Sequence, residues 1–128
     1  MTVSSSQILT ADTVPGYLAQ HKDKLEGVIP KDATLTAKAI QGGNVNYAFC
    51  VTATSCSGST TGDDATIQTI FVKQAPEFVA IFGPDGFPLT SERMQLELDV
   101  YREWQTLLGP VVSQTYLPTI YFFDSAFW

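Results

Sequence analysis

Three groups of residues in this sequence have the types and order needed to hold phosphate oxygens: the run Gly42-Gly43-Asn44-Val45-Asn46, then Lys73, then Glu97. Paired glycines let a backbone come close to a ligand, and short Asn side chains can fix turn geometry or bond to phosphate oxygens. The run lies between two predicted strands rather than between a strand and a helix, a context that excludes both a Walker A loop and a Rossmann fingerprint. Taken alone it also fits an ordinary tight turn. Lys73 closes a strand of Ile, Phe and Val on the same face as Phe71, where a lysine either snorkels to water or meets an anion.

Glu97 supplies that anion through helical geometry. Met94, Leu98, Tyr101, Trp104 and Leu108 recur at three- and four-residue intervals and define a core-facing stripe. Glu97 falls inside the stripe, whereas Glu92, Asp99 and Glu103 fall outside it and read as solvated charges. A carboxylate on a buried face is costly unless paired, and Lys73 is its most economical partner. Arg93, one turn earlier, reads as a surface arginine that could reach a phosphate or an acidic neighbour. A glycine turn, a strand-end lysine and a helical glutamate in this order are the parts with which a kinase lobe handles nucleotide, the glutamate orienting the lysine onto phosphate oxygens.

The elements that must position these groups follow from patterning. Residues 1–11 are polar and read as a loose tail. Asp12 offers a cap and Pro15 a first-turn proline for a helix running to about residue 24, ended by Gly27 and Pro30. Residues 35–40 alternate as a strand. From Val45 to Thr54 the alternation is stronger, with Val45, Tyr47, Phe49, Val51 and Ala53 on one side. The polar stretch SCSGSTTGDDA connects this strand to the next, residues 66–73, and its Asp63-Asp64 pair reads as solvated loop. Pro76, Gly83, Pro84, Gly86 and Pro88 mark a wandering loop. Thr90 and Ser91 then cap a helix over 91–108, stopped by Gly109-Pro110. A further strand is predicted over 119–123, with the start of another at 126–128. Strands joined by hairpins with one helix inserted after the third predict an α+β fold, an antiparallel sheet with a long helix laid on it and an extra helix at the N-terminus.

Composition narrows the function classes. The 128 residues fit one domain, and the net charge of −6 comes with seven scattered Lys and Arg, so no basic stripe exists to bind nucleic acid. No stretch approaches the length of a membrane span and no signal peptide opens the chain. A cytoplasmic protein is expected, with Cys50 and Cys56 as plain thiols. His21 reads as a helix-surface residue, and Tyr101 and Trp104 as core aromatics. Phe122, Phe123, Phe127 and Trp128 read as sheet core or as a contact surface.

The phrases GGNVNYAF, VKQAPEFV and GFPLTSERMQLE resemble the successive motifs of the methylthioribose kinases, over roughly residues 36–128. LPTIYFFD is similar to the family's strand after the long helix. The resemblance implies that residues 12–128 form a protein-kinase-like N-terminal lobe, within the superfamily that includes aminoglycoside phosphotransferases. It also implies that the chain stops before the adenine-binding hinge and the C-terminal lobe. The family's members use ATP and magnesium to phosphorylate the 1-hydroxyl of S-methyl-5-thioribose in methionine salvage, commonly as homodimers. By resemblance, Gly42, Gly43, Asn44, Asn46 and Lys73 bind ATP and Glu97 positions Lys73. The catalytic base, the Mg2+ ligands and the sugar-acceptor site would lie downstream, leaving this chain alone inactive. The connection at residues 55–65 is longer than usual for the family, and Ala75-Pro76 replaces a commoner Ala-Leu-Pro. An aminoglycoside- or choline-phosphotransferase-like lobe and a non-catalytic binding module remain the alternatives.

Overall fold

A computed structural model describes residues 7–55 and 66–125. The fold is α+β, consistent with a kinase N-terminal lobe: a short N-terminal helix, a three-stranded antiparallel sheet and one long helix. Helix α1 spans Val14–Gln20 and is followed by a 3-10 turn, Lys22–Leu25. The strands are β1 (Thr34–Ala39), β2 (Tyr47–Ser55) and β3 (Thr66–Gln74), hydrogen-bonded in the order β1-β2-β3. Helix α2 runs from Arg93 to Tyr116.

The sheet has two different faces because strand side chains alternate. On one face Phe49, Val51 and Ala53 of β2 and Ile70 of β3 are buried beneath Val14 and Leu18 of α1, with Leu25 and Ile29 completing the core. Val51 pairs with Ile70 in the β2–β3 register, so the most buried positions of both strands meet on the covered side. Ile67 and Phe71 of β3 stand exposed. Lys73 shares their face by period-two spacing.

Four expectations are corrected. The predicted N-terminal helix is shorter and ends in a 3-10 turn. Its start is closed by Thr10 and Thr13 rather than Asp12: Thr10 N–H donates to Thr13 Oγ1 at 2.8 Å and Thr13 N–H to Thr10 Oγ1 at 3.3 Å. Thr13 N–H and Val14 N–H also donate to Thr10 O, at 3.1 and 3.0 Å, and complete the turn that leads into the helix. The strand predicted from Val45 begins at Tyr47. Gly109-Pro110 interrupts α2 without ending it. Gly109 adopts φ 75° and ψ 170°, outside helical space. Pro110, whose fixed φ and missing N–H suit a first helical turn, then restarts the helix. Ser113 Oγ donates to Gln105 O at 3.2 Å across the break.

The fourth correction concerns residues 119–123, which form no strand. Pro118 removes one ladder donor, and the segment is held instead by side chains on α1. Phe122 stacks on His21 at 5.4 Å between ring centroids, and Tyr17 OH donates to Asp124 Oδ2 at 2.8 Å. Aromatic and β-branched residues at 119–123 satisfy a strand pattern equally well when they pack as an extended segment. The strand start at 126–128, residues 1–6 of the tail expected over 1–11, Cys56 and Asp63-Asp64 lie outside the described residues; of the rest of that tail, Leu9 is buried in the core and its N–H donates to Gln74 Oε1 at 2.8 Å.

Candidate phosphate-binding site

Register brings the candidate residues to one end of the sheet. Residues 40–46 connect β1 to β2, and Ala48, two residues into β2, pairs with Lys73 near the end of β3. The lysine and the glycine turn therefore share an end of the sheet, while the β2–β3 connection leaves from the other. Ile40 N–H donates to Ala48 O at 2.9 Å and closes the base of the turn. Gly42 has φ 100°, a conformation that side chains with a Cβ rarely adopt, so glycine is required there.

Lys73 Nζ donates to Glu97 Oε1 at 2.8 Å and to Oε2 at 2.7 Å. The carboxylate reaches across from α2, where Leu98 beside it is buried and Met94 and Tyr101 are half-buried. The side chains of Lys73 and Glu97 remain 29% and 35% exposed. Both ends are partly solvated, so the ammonium keeps access to an incoming anion. Phe71, Lys73, Met94, Glu97, Leu98 and Tyr101 help line a cavity of about 420 Å³, to which residues 118–124 also contribute.

The glycine turn is held from behind. Ile81 N–H donates to Asn44 O at 3.0 Å and Ala80 N–H to Val45 O at 3.2 Å, both from the 3-10 turn Ala80–Phe82. Arg93 at the start of α2 donates from Nε and Nη2 to Asn46 Oδ1 at 3.1 and 2.9 Å. Its Nη1 donates to Leu89 O and Thr90 O at 3.2 and 2.6 Å. Burial pushes the guanidinium below its ordinary pKa. Arg93 was read from sequence as a surface arginine that could reach a phosphate or an acidic neighbour; its side-chain partner is instead Asn46, in a turn 47 residues away. No periodicity in the sequence pointed to this bond.

Trp104, expected in the core stripe, is 49% exposed. With Leu96, Val100, Tyr101, Leu108 and Leu117 it lines a shallow groove on α2. His21, expected on the surface, is instead enclosed: its ring lies 4.6 Å from that of Tyr17, and Nε2 is 3.6 Å from Asp124 Oδ2. The groove on α2 is also lined by Arg93 and Glu97, the first bonded to Asn46 of the turn and the second to Lys73. Cys50 is a free, half-buried thiol. Among the described residues no helix is long and apolar enough to cross a membrane.

No family model matches the chain, and no solved structure matches it significantly. Among curated proteins, a methylthioribose kinase of Escherichia coli O45:K1 (strain S88 / ExPEC) is 30% identical over 118 residues, 91% of this chain. The chain spans 24% of that relative's length. This distant likeness supports a kinase-like relationship.

Proposed function

We propose that residues 12–128 form the phosphate-binding part of an ATP-dependent small-molecule kinase, with S-methyl-5-thioribose as the acceptor. The observation that carries the reading is the bidentate Lys73–Glu97 contact at the sheet end occupied by the glycine turn. Lys73 would place its charge on the nucleotide phosphates, and Glu97 would keep the ammonium from swinging out to solvent. Gly42 and Gly43 would admit the phosphates close to backbone N–H groups, and Asn44 and Asn46 would add side-chain donors.

In the reaction so assigned, the sugar 1-hydroxyl oxygen forms a bond to the γ-phosphorus while the bond between that phosphorus and the β-γ bridging oxygen breaks. ADP leaves, and the hydroxyl proton passes to a base. Glu97 is committed to Lys73 and is not that base. We assign the base to residues beyond this chain, so the chain by itself would hold nucleotide without turnover. Magnesium, which such transfers use to neutralise phosphate charge, finds no cradle here: among the described residues no three His, Cys, Asp or Glu side chains gather. No step is routed through it. Localisation in the cytoplasm and a homodimeric parent belong to the same proposal, carried by the likeness to the kinase.

Titration of the protein with ATP tests the reading. Saturable binding that Lys73→Ala abolishes supports it, and absence of binding by the unaltered protein sinks it. Phosphate transfer by the full-length protein to S-methyl-5-thioribose, but not to choline or an aminoglycoside, would establish the acceptor.

A further inference from the structure

Arg93 makes its contacts only with acceptors. Its guanidinium carries five N–H donors and accepts nothing, and it meets Asn46 Oδ1, Leu89 O, Thr90 O and, at 3.4 Å, Val45 O. The first contact fixes a choice that is otherwise ambiguous for an asparagine. An amide facing an arginine at 2.9 and 3.1 Å must turn its oxygen inward, because the opposite flip would set donor against donor. Nδ2 is thereby left as the outward group, a donor.

The backbone of the turn is sorted in the same sense. The carbonyls of Asn44 and Val45 are taken by Ile81 N–H, Ala80 N–H and Arg93. Among the described residues no backbone N–H from Gly42 to Asn46 donates a hydrogen bond. Two carbonyls of the turn are thus engaged by residues beyond β3, while its N–H groups carry no such bond. Consecutive free N–H groups in a turn make a surface suited to anions.

We infer that Arg93 is a positioning residue for nucleotide phosphate: through Asn46 and Val45 it holds the glycine turn with its donors outward, without touching phosphate itself. The inference rests on the proposed phosphate-binding role of the turn. It also reverses the simplest expectation for an arginine beside such a site, since this cation acts by orienting an amide rather than by contributing its charge. A lysine cannot replace it, because one ammonium cannot span Asn46 and three carbonyls.

The test compares Asn46→Asp and Arg93→Lys with the unaltered full-length protein, by thermal melting and by ATP titration, and then by steady-state kinetics. Asn46→Asp keeps an acceptor for Arg93, so it melts no lower than the parent. It lacks the Nδ2 donor and binds ATP weaker by roughly tenfold or more, the scale of one hydrogen bond to a charged group. Arg93→Lys raises KM for ATP several-fold with kcat nearly unchanged, a split that general loosening of the fold would not give. ATP binding by either variant at the parent's affinity overturns the inference. Lys73→Ala separates this failure from that of the underlying reading. If Lys73→Ala loses ATP while the two turn variants keep it, only the role of Arg93 falls; if the unaltered protein ignores ATP, both fall.

Discussion

The Lys73 ammonium is gripped by both carboxylate oxygens of Glu97, at 2.8 and 2.7 Å, from an element that begins only after a loop of proline and glycine. About a third of each side chain remains exposed, and ion pairs with that much solvent contact contribute about 0–1 kcal/mol. Stability is therefore a poor reason for the pair to exist. Glu97→Gln should shift the urea-unfolding free energy by less than about 1 kcal/mol. The same substitution should weaken ATP binding by roughly tenfold, the scale of a lost charge-assisted contact. A large loss of stability with unaltered ATP binding would assign the pair to the fold alone.

Tyr17 gives the fold an alkaline limit. Burial first, and then the hydrogen bond to Asp124 and that carboxylate's charge, push its phenol above the ordinary value, which is about 10. The folded state holds the proton more tightly than the unfolded chain, so the linked stability is fully present below about pH 10 and is lost as pH rises toward the folded-state value. Urea midpoints should fall above pH 10 in the parent and fall less steeply in Tyr17→Phe. Parallel curves for the two proteins would contradict this.

Leu18 is 2% exposed and lies in the core where α1 meets the sheet. Leu18→Ala removes buried methyl groups and leaves a cavity, at a cost of about 2–5 kcal/mol. Denaturant unfolding followed by circular dichroism should show that loss. An unchanged midpoint would mean that α1 contributes little to the folded state.

Gly109 separates the two segments of α2 with a φ of 75°. No neighbouring atom lies within 4 Å of where a Cβ would sit, so Gly109→Ala tests backbone strain without a steric clash. The expected cost is about 1–3 kcal/mol, because φ 75° with ψ 170° is a conformation found almost only in glycine. A gain in stability would show that the helix can run straight through.

The parts of the molecule that obey a short period were legible in the sequence. Phe49, Val51 and Ala53 announced the covered face of β2 by strict alternation, and Glu97 was visible as a carboxylate inside an apolar stripe. Fold class and the glycine turn between β1 and β2 followed from the same periodicity. What escaped depends on contacts that periodicity does not carry. The side-chain partner of Arg93, Asn46, lies in another motif, and whether residues 119–123 join a ladder or lie against α1 depends on Tyr17 and His21, about a hundred residues earlier. Trp104 fits a buried stripe by spacing, yet it lines an open groove on α2 and stays 49% exposed. Gly109-Pro110 was correctly a break; that Pro110 could begin a new helical segment follows from the same property that made it look like a stop.

The sheet end away from Lys73 has a tie of its own. Ser55 Oγ donates to the Asp32 carboxylate at 3.0 and 3.1 Å, and Ser55 pairs with Thr66. Seven residue steps of strand separate that post from the Ala48–Lys73 pair, about 20 Å at the ordinary strand rise. Thr66 is exposed at that end, so a fluorophore carried there would stand a strand's length from Lys73 and report on the sheet without crowding the ion pair.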